Sequence, residues 1–126
     1  MITAVNVEAS TQTRISNDVY SFDADTTEPK GMGQGFRPHE LLEAALASCT
    51  AITLRLVAKE RGIPLKRIRI QIELDRKDPG SATFRSKIDL GDEITEVDRK
   101  TLFAAARLCP VRKTLGRQLV FEEAGA

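Results

Sequence analysis

The period of hydrophobic and polar positions changes several times along this chain, and each change marks an element. Residues 1–9 alternate weakly, with Val5 and Val7 on one side and Asn6 and Glu8 on the other. Residues 11–15 continue or pair with that run, Asn17-Asp18 reads as a turn, and Tyr20, Phe22 and Ala24 then alternate with Ser21 and Asp23. Three short strands in an antiparallel meander are the expectation. Residues 25–37, DTTEPKGMGQGFR, lose all period and carry three glycines and a proline. This is a loop near the upper length for a structureless connection, so it is either functional or spans a partner.

The stretch at 38–62 has another character. Leu41, Leu42, Ala44, Ala45, Leu46, Ala47, Cys49, Ala51, Ile52, Leu54, Leu56, Val57 and Ala58 are apolar almost all the way round a helix, the pattern of a buried helix. Pro38 fits the first helical position, Lys59 and Arg61 the last turn, and Gly62 the C-terminal cap. At a rise of about 1.5 Å per residue, the helix is on the order of 35 Å long.

Strict alternation follows at 66–75, with Ile68, Ile70, Ile72 and Leu74 opposite Arg67, Arg69, Gln71, Glu73 and Asp75, which predicts a half-buried strand. Asp78-Pro79-Gly80-Ser81 is a turn, and residues 82–90 return with Phe84, Ile88 and Leu90 inward, completing a hairpin. Thr95 caps a second helix over 96–108, with Asp98 three residues on; it is expected to bury Val97, Leu102, Phe103, Ala105 and Ala106. Cys109-Pro110 stops it and starts a short helix, with Cys109 as N-cap and Gly116 past its end. Residues 118–122, QLVFE, predict a last short strand, and 124–126 a frayed tail. The order defines an α+β chain with a single domain over 1–126. So small a core has difficulty covering a helix apolar on every side, and an oligomer that shares the helix solves this.

Composition narrows the function. Apolar residues make up 41% and charged residues 29%, with a net charge of +1, so nothing points to nucleic acid. The loose group Arg55, Lys59, Arg61, Lys66, Arg67 and Arg69 reads as a solvated helix end and strand face. Glu43, Thr53 and Arg55 interrupt the long helix, so a membrane span is not expected. The N-terminus shows no basic region followed by an apolar run. A cytoplasmic, reducing location is therefore expected, where two cysteines are free thiols or a redox pair.

The thiols are the candidate chemistry. Cys109 precedes a helix N-terminus, whose free N–H groups favour an anion, so its pKa is expected to fall. Cys49 lies mid-helix among Ala, Leu and Ser, where desolvation opposes ionisation. On local physics Cys109 is the better nucleophile and Cys49 the better core residue; both also fit as small buried hydrophobes. Two cysteines and His39 do not make a closed four-ligand zinc site. His39 and Cys49 are about 15 Å apart along one helix, too far for a Cys–His pair within it. GMGQG lacks the strand–turn–helix context of a phosphate loop.

PHELLEAALASCTAITLRLVAKERG followed by ARLCPVRKTLGR resembles the OsmC/Ohr superfamily of thiol-dependent peroxidases, whose pattern is a P-x-E-L-L-like helix start, A-A-L-x-x-C-T, and then C-P-V-x-x-T-L. The resemblance runs from Arg37 to the C-terminus; residues 1–36 match in general character only. It implies an OsmC-like fold: antiparallel sheets wrapped around a long buried central helix in an intertwined homodimer, with active sites at the subunit interface. It also implies a cofactor-free peroxidase acting on organic hydroperoxides more than on hydrogen peroxide. Cys49 would be peroxidatic and Cys109 resolving, through a sulfenic acid and a disulfide that a dithiol reductant reopens. The resemblance places an Arg and a Glu around the thiol. Glu40 is the candidate carboxylate, although typical members carry it where this chain has His39, and Arg37 and Arg14 are the candidate cations, with Arg112 an alternative. Nine residues amount to about 900° of helical rotation, so Glu40 faces away from Cys49 of its own chain and would act from the partner subunit. The competing reading is a small-molecule-binding or acyl-handling protein on the same fold, with thiols that do no redox work.

Overall fold

A computed structural model describes residues 1–125. Its N-terminal run folds as the pattern predicts. Strands β1 (Thr3–Asn6), β2 (Thr13–Ser16) and β3 (Ser21–Ala24) form an antiparallel sheet in the order β1-β2-β3, with Val5 opposite Arg14 and Ile15 opposite Phe22. The turn between β2 and β3 is fixed locally. Asn17 Oδ1 accepts the N–H groups of Val19 at 3.0 Å and Tyr20 at 2.7 Å, and Asp18 takes a left-handed φ of 75°, which short polar side chains tolerate.

The 25–37 loop is ordered by a buried carboxylate. Asp25 Oδ1 accepts from the Thr11 hydroxyl at 2.6 Å and the Thr26 N–H at 2.7 Å, and Oδ2 accepts from the Gln34 N–H at 3.0 Å. The Thr11 hydroxyl first, then the Gln34 N–H, holds this carboxyl below its usual range. Gly35 allows the chain to return against β3. Any Cβ there would collide with the Asp23 carbonyl, and the Asp25 N–H reaches the Phe36 carbonyl at 3.0 Å.

Helix α1 spans Pro38–Arg61. It ends where expected: Gly62 is left-handed, with φ +66°, and the Ile63 N–H returns to the Ala58 carbonyl at 2.8 Å, as in helix caps of this kind. Its burial departs from expectation. Leu46, Thr50, Leu54 and Ala58 form one buried stripe at every fourth residue, whereas Ile52 and Leu56 are each 60% exposed. One chain of this size supplies enough neighbours for a single face of so long a helix. By length and composition α1 is also apolar enough to cross a membrane. Here Leu54 and Ala58 of its buried stripe pack into a protein core, and the Arg55 guanidinium donates to the Leu65 carbonyl.

Contacts divide the chain into two compact units, Met1–Glu43 and Ala44–Ala126, the first turn of α1 belonging to the first. In the second unit, β4 (Arg69–Asp75) and β5 (Thr83–Asp89) form the expected hairpin, with Ile70 opposite Ile88 and Leu74 opposite Phe84. Asp78 Oδ1 accepts the Gly80 N–H at 2.9 Å across the turn. Helix α2 (Glu96–Ala106) starts at Thr95, whose hydroxyl accepts the Asp98 N–H at 3.1 Å. Leu102, Ala105 and Ala106 are buried as predicted, but Val97 is 74% exposed and Phe103 40%. Both lie about 100° or more around the helix from the centre of the buried stripe. The core joins Leu54 and Ala58 of α1 to Ile63, Leu65, Leu90, Leu102, Ala105 and Ala106. Helix α3 (Pro110–Leu115) closes on Gly116, whose N–H meets the Arg112 carbonyl at 3.0 Å.

The strand expected at 118–122 does not form. The segment pairs with nothing among the described residues, and Leu119, Val120 and Phe121 are exposed. A strand exists through its ladder, and within one chain this stretch finds no edge to join.

Candidate functional site

The site lies in the second unit, where α1 and the α2–α3 corner bring the two cysteines together. Cys49 is half-buried on α1, one residue before Thr50 of the buried stripe. Cys109 sits at the corner because Pro110 ends the preceding helical run: its N–H reaches the Ala106 carbonyl at 3.4 Å and its carbonyl accepts the Lys113 N–H at 3.1 Å. Its side chain is fully buried. Both thiols are free, and Cys49 lies within hydrogen-bonding reach of the Cys109 sulfur.

Opposing effects set the acidity of Cys109. Burial pushes the thiol up. Against it stand a hydrogen bond from Cys49, the N–H groups of Arg112 and Val111, and the Thr50 hydroxyl, and together they leave Cys109 below the ordinary thiol value. The sulfur makes no regular side-chain capping bond to α3. The helix start that the sequence singled out contributes through the Arg112 and Val111 N–H groups, behind the hydrogen bond from Cys49. A buried sulfur among three kinds of donor is equipped to carry a negative charge and to deliver it to a neighbouring sulfur.

Glu40, Arg37 and Arg14 sit in the first unit. Glu40 Oε1 accepts the Arg37 N–H at 2.9 Å and the Arg37 Nε at 3.2 Å. The Arg37 N–H first, then its guanidinium, holds the Glu40 carboxyl below its usual range. This is the reciprocal half of a capping box: Arg37 is the N-cap, Pro38 the first helical residue and Glu40 the third. Arg14 pairs across the sheet with Asp23, Nε to Oδ1 at 2.6 Å. Arg112 contributes its backbone N–H to Cys109 while its side chain is exposed.

Thr50 is the functional candidate that sequence reasoning missed. Its hydroxyl donates to the Leu46 carbonyl at 2.7 Å and lies against Cys109. The signal was there to find: a polar residue in register with Leu46, Leu54 and Ala58 at every fourth position.

The α+β chain sets two free cysteines near each other, one on a long helix and one at a Cys-Pro corner. The chain belongs to the OsmC-like protein family, whose pattern matches residues 31–124. Solved structures show the same fold. An OsmC-like protein from Mycoplasma pneumoniae is 23% identical, with TM-score 0.72 over 91% of this chain and 85% of that one. The organic hydroperoxide resistance protein OhrB of Bacillus subtilis is 27% identical, with TM-score 0.58 over 92% and 89%. An organic hydroperoxide resistance protein OsmC from Legionella pneumophila is 18% identical, with TM-score 0.61 over 92% and 89%. No protein of curated function matches the chain.

Proposed function

We propose that this chain is a thiol peroxidase that reduces organic hydroperoxides through a Cys49–Cys109 cycle, working in the cytoplasm as a homodimer. The observation that carries this reading is the pair of free thiols in hydrogen-bonding reach, one of them buried among donors that favour its anion. The Cys49 sulfur attacks the hydroperoxide, the O–O bond breaks, and Cys49 becomes a sulfenic acid while the released alkoxide takes a proton to give the alcohol. The Cys109 thiolate then attacks the Cys49 sulfur, hydroxide leaves and is protonated to water, and the S–S bond forms. An external dithiol reduces the bridge, and no cofactor enters.

The substrate class is supported by family membership and by the names of the Bacillus and Legionella structures. The homodimer is supported by the apolar side chains that α1 leaves uncovered, Leu42, Ile52 and Leu56, and by the unpaired run at Leu119, Val120 and Phe121. In this dimer Glu40, with Arg37 or Arg14, would reach the reacting sulfur from the partner subunit. The Arg37–Glu40 pair is already formed, whereas Arg14 is held by Asp23, and this favours Arg37 as the cation.

Consumption of an organic hydroperoxide in the presence of a dithiol tests the reading. Cys49→Ser should cut turnover on the order of 10³-fold or more, as loss of a covalent nucleophile does. One equivalent of peroxide should convert the wild-type thiols to a Cys49–Cys109 disulfide. Full peroxide consumption by Cys49→Ser overturns the proposal. Two slow thiols and no bridge would identify a binding protein on the same fold.

A further inference from the structure

The peroxidase cycle ends on a bridge that an external dithiol must open, and its two sulfurs are not equally open to attack. Cys109 is fully buried, and its backbone is held on both sides: its N–H reaches the Ala106 carbonyl at 3.4 Å and its carbonyl accepts the Lys113 N–H at 3.1 Å. Cys49 is only half-buried on α1. Of the pair, Cys49 is the outer sulfur and Cys109 the inner one. Direction matters as much as depth. In thiol–disulfide exchange a thiolate attacks one sulfur and expels the other. The three sulfurs stand in line during the step, so the entering one comes from the side opposite the leaving one. To attack Cys109, a reductant would have to come from beyond it, out of the packed interior. To attack Cys49, it comes from outside. A free Cys109 thiolate still has its Cys49 side on which to meet a small reagent, but in the bridge the Cys49 sulfur fills that side.

We propose, resting on the peroxidase reading, that the reductant attacks the Cys49 sulfur and forms its mixed disulfide there, with Cys109 as the leaving group. On that reading the outer approach stays open in the dimer, because the hydroperoxide needs it to reach Cys49. It is also the side from which hydroxide departs when Cys109 attacks the sulfenic acid, so the reductant enters along the path that hydroxide left. The steps balance. One thiol of the dithiol gives its proton to solvent, its sulfur bonds to Cys49, and the electron pair of the broken S–S bond goes to Cys109. The second thiol of the reductant then attacks its own sulfur held on Cys49. The dithiol closes to a disulfide, Cys49 leaves as a thiolate, and the bridge has become two thiols. The N–H groups of Arg112 and Val111 act on the Cys109 sulfur from α3 and do not depend on Cys49 being reduced. They favour departure of Cys109, because a sulfur more stable as its thiolate leaves faster.

The test opens the bridge without any peroxide. The reduced wild-type protein is oxidised to the Cys49–Cys109 disulfide with diamide, mixed briefly with 2-mercaptoethanol as a monothiol probe, and quenched with acid before the adduct exchanges. Peptide masses then show which cysteine holds the probe. The adduct should sit on Cys49, with Cys109 as the free thiol, by on the order of ten-fold or more. The same reaction on the oxidised chain unfolded in urea should lose this preference, because burial no longer separates the two sulfurs. An adduct mainly on Cys109, equal adducts on the folded protein, a preference that survives unfolding, or a pair that diamide does not bridge each overturns the proposal. Attack at Cys49 in a protein that consumes no hydroperoxide would instead defeat the peroxidase reading and leave Cys49 as the sulfur that thiols attack.

Discussion

Two helices of this chain start at a residue followed by proline, and they settle their free N–H groups in opposite ways. At Arg37-Pro38, α1 carries an acidic residue in its first turn, and Glu40 folds back on the Arg37 N–H and guanidinium. At Cys109-Pro110, α3 has no acidic residue in its first turn and no regular side-chain cap. A buried sulfur faces the N–H groups of Val111 and Arg112 instead. Proline removes one donor at each start, and the remaining donors favour negative charge. Where a carboxylate can supply that charge at the surface, the helix start is closed and stable. Where none is offered and the site is buried, the same donors act on a thiol and lower its pKa.

The sharpest way to break this comparison is to remove the charge carrier at each start. Cys109→Ala should lower the alkylation rate of the reduced protein at neutral pH by an order of magnitude or more, because the thiolate is the reacting species. Glu40→Gln keeps that thiol, so the fast label should still map to Cys109. If Cys109→Ala kept a fast thiol, the N–H groups of α3 would not be acting on the sulfur as described.

The start of α2 gives a neutral reference. Thr95 offers a hydroxyl to the Asp98 N–H at 3.1 Å, and Thr95→Ala should cost about 1 kcal/mol in chemical denaturation. This start holds no thiol, so thiol reactivity should not respond to the substitution. A change in the Cys109 profile would mean that the effect of the corner reaches it through α2.

Local chemistry was legible in the sequence; what depends on neighbours was not. The ends of α1, the Asn17-Asp18 turn, the 78–81 turn, the Thr95 cap and the Cys109-Pro110 corner are each decided within four or five residues, and each stands where its residues put it. Exposure on α1, the outward-facing Val97 and Phe103, and the unpaired 118–122 run depend on which surfaces a single chain can cover, and periodicity carries no such information. The same divide runs through the site. Two cysteines in two distinct contexts, and the N–H groups of a helix start beside Cys109, follow from the sequence pattern. That Thr50 touches Cys109 is a contact across more than fifty residues, and only the polar residue in an apolar stripe hinted at it.

The smallest effect separates the two proline starts by pH. The Glu40 carboxyl is held below its unfolded value by Arg37, so its contribution to stability is present above the unfolded pKa, near about 4.3, and is lost as pH falls through the folded value. The stability difference between wild type and Glu40→Gln should therefore be steady from neutral down to weakly acidic pH and close below it, remaining smaller throughout than the loss for Thr95→Ala, because the pair is exposed. The Cys109 thiol is also held below its unfolded value, near about 8.5, so its contribution is fully present above that pH and is lost as pH falls through the folded value. The difference between reduced wild type and Cys109→Ala should accordingly widen as pH rises toward the unfolded thiol value, a range in which the Glu40 difference is flat. Asp23, Asp25, Asp75 and Asp89 are also held below their usual range, so only differences between variants isolate either start. Two differences that opened and closed over the same pH range would show that both starts answer to one titration and would dissolve the contrast between a carboxylate cap and a thiolate one.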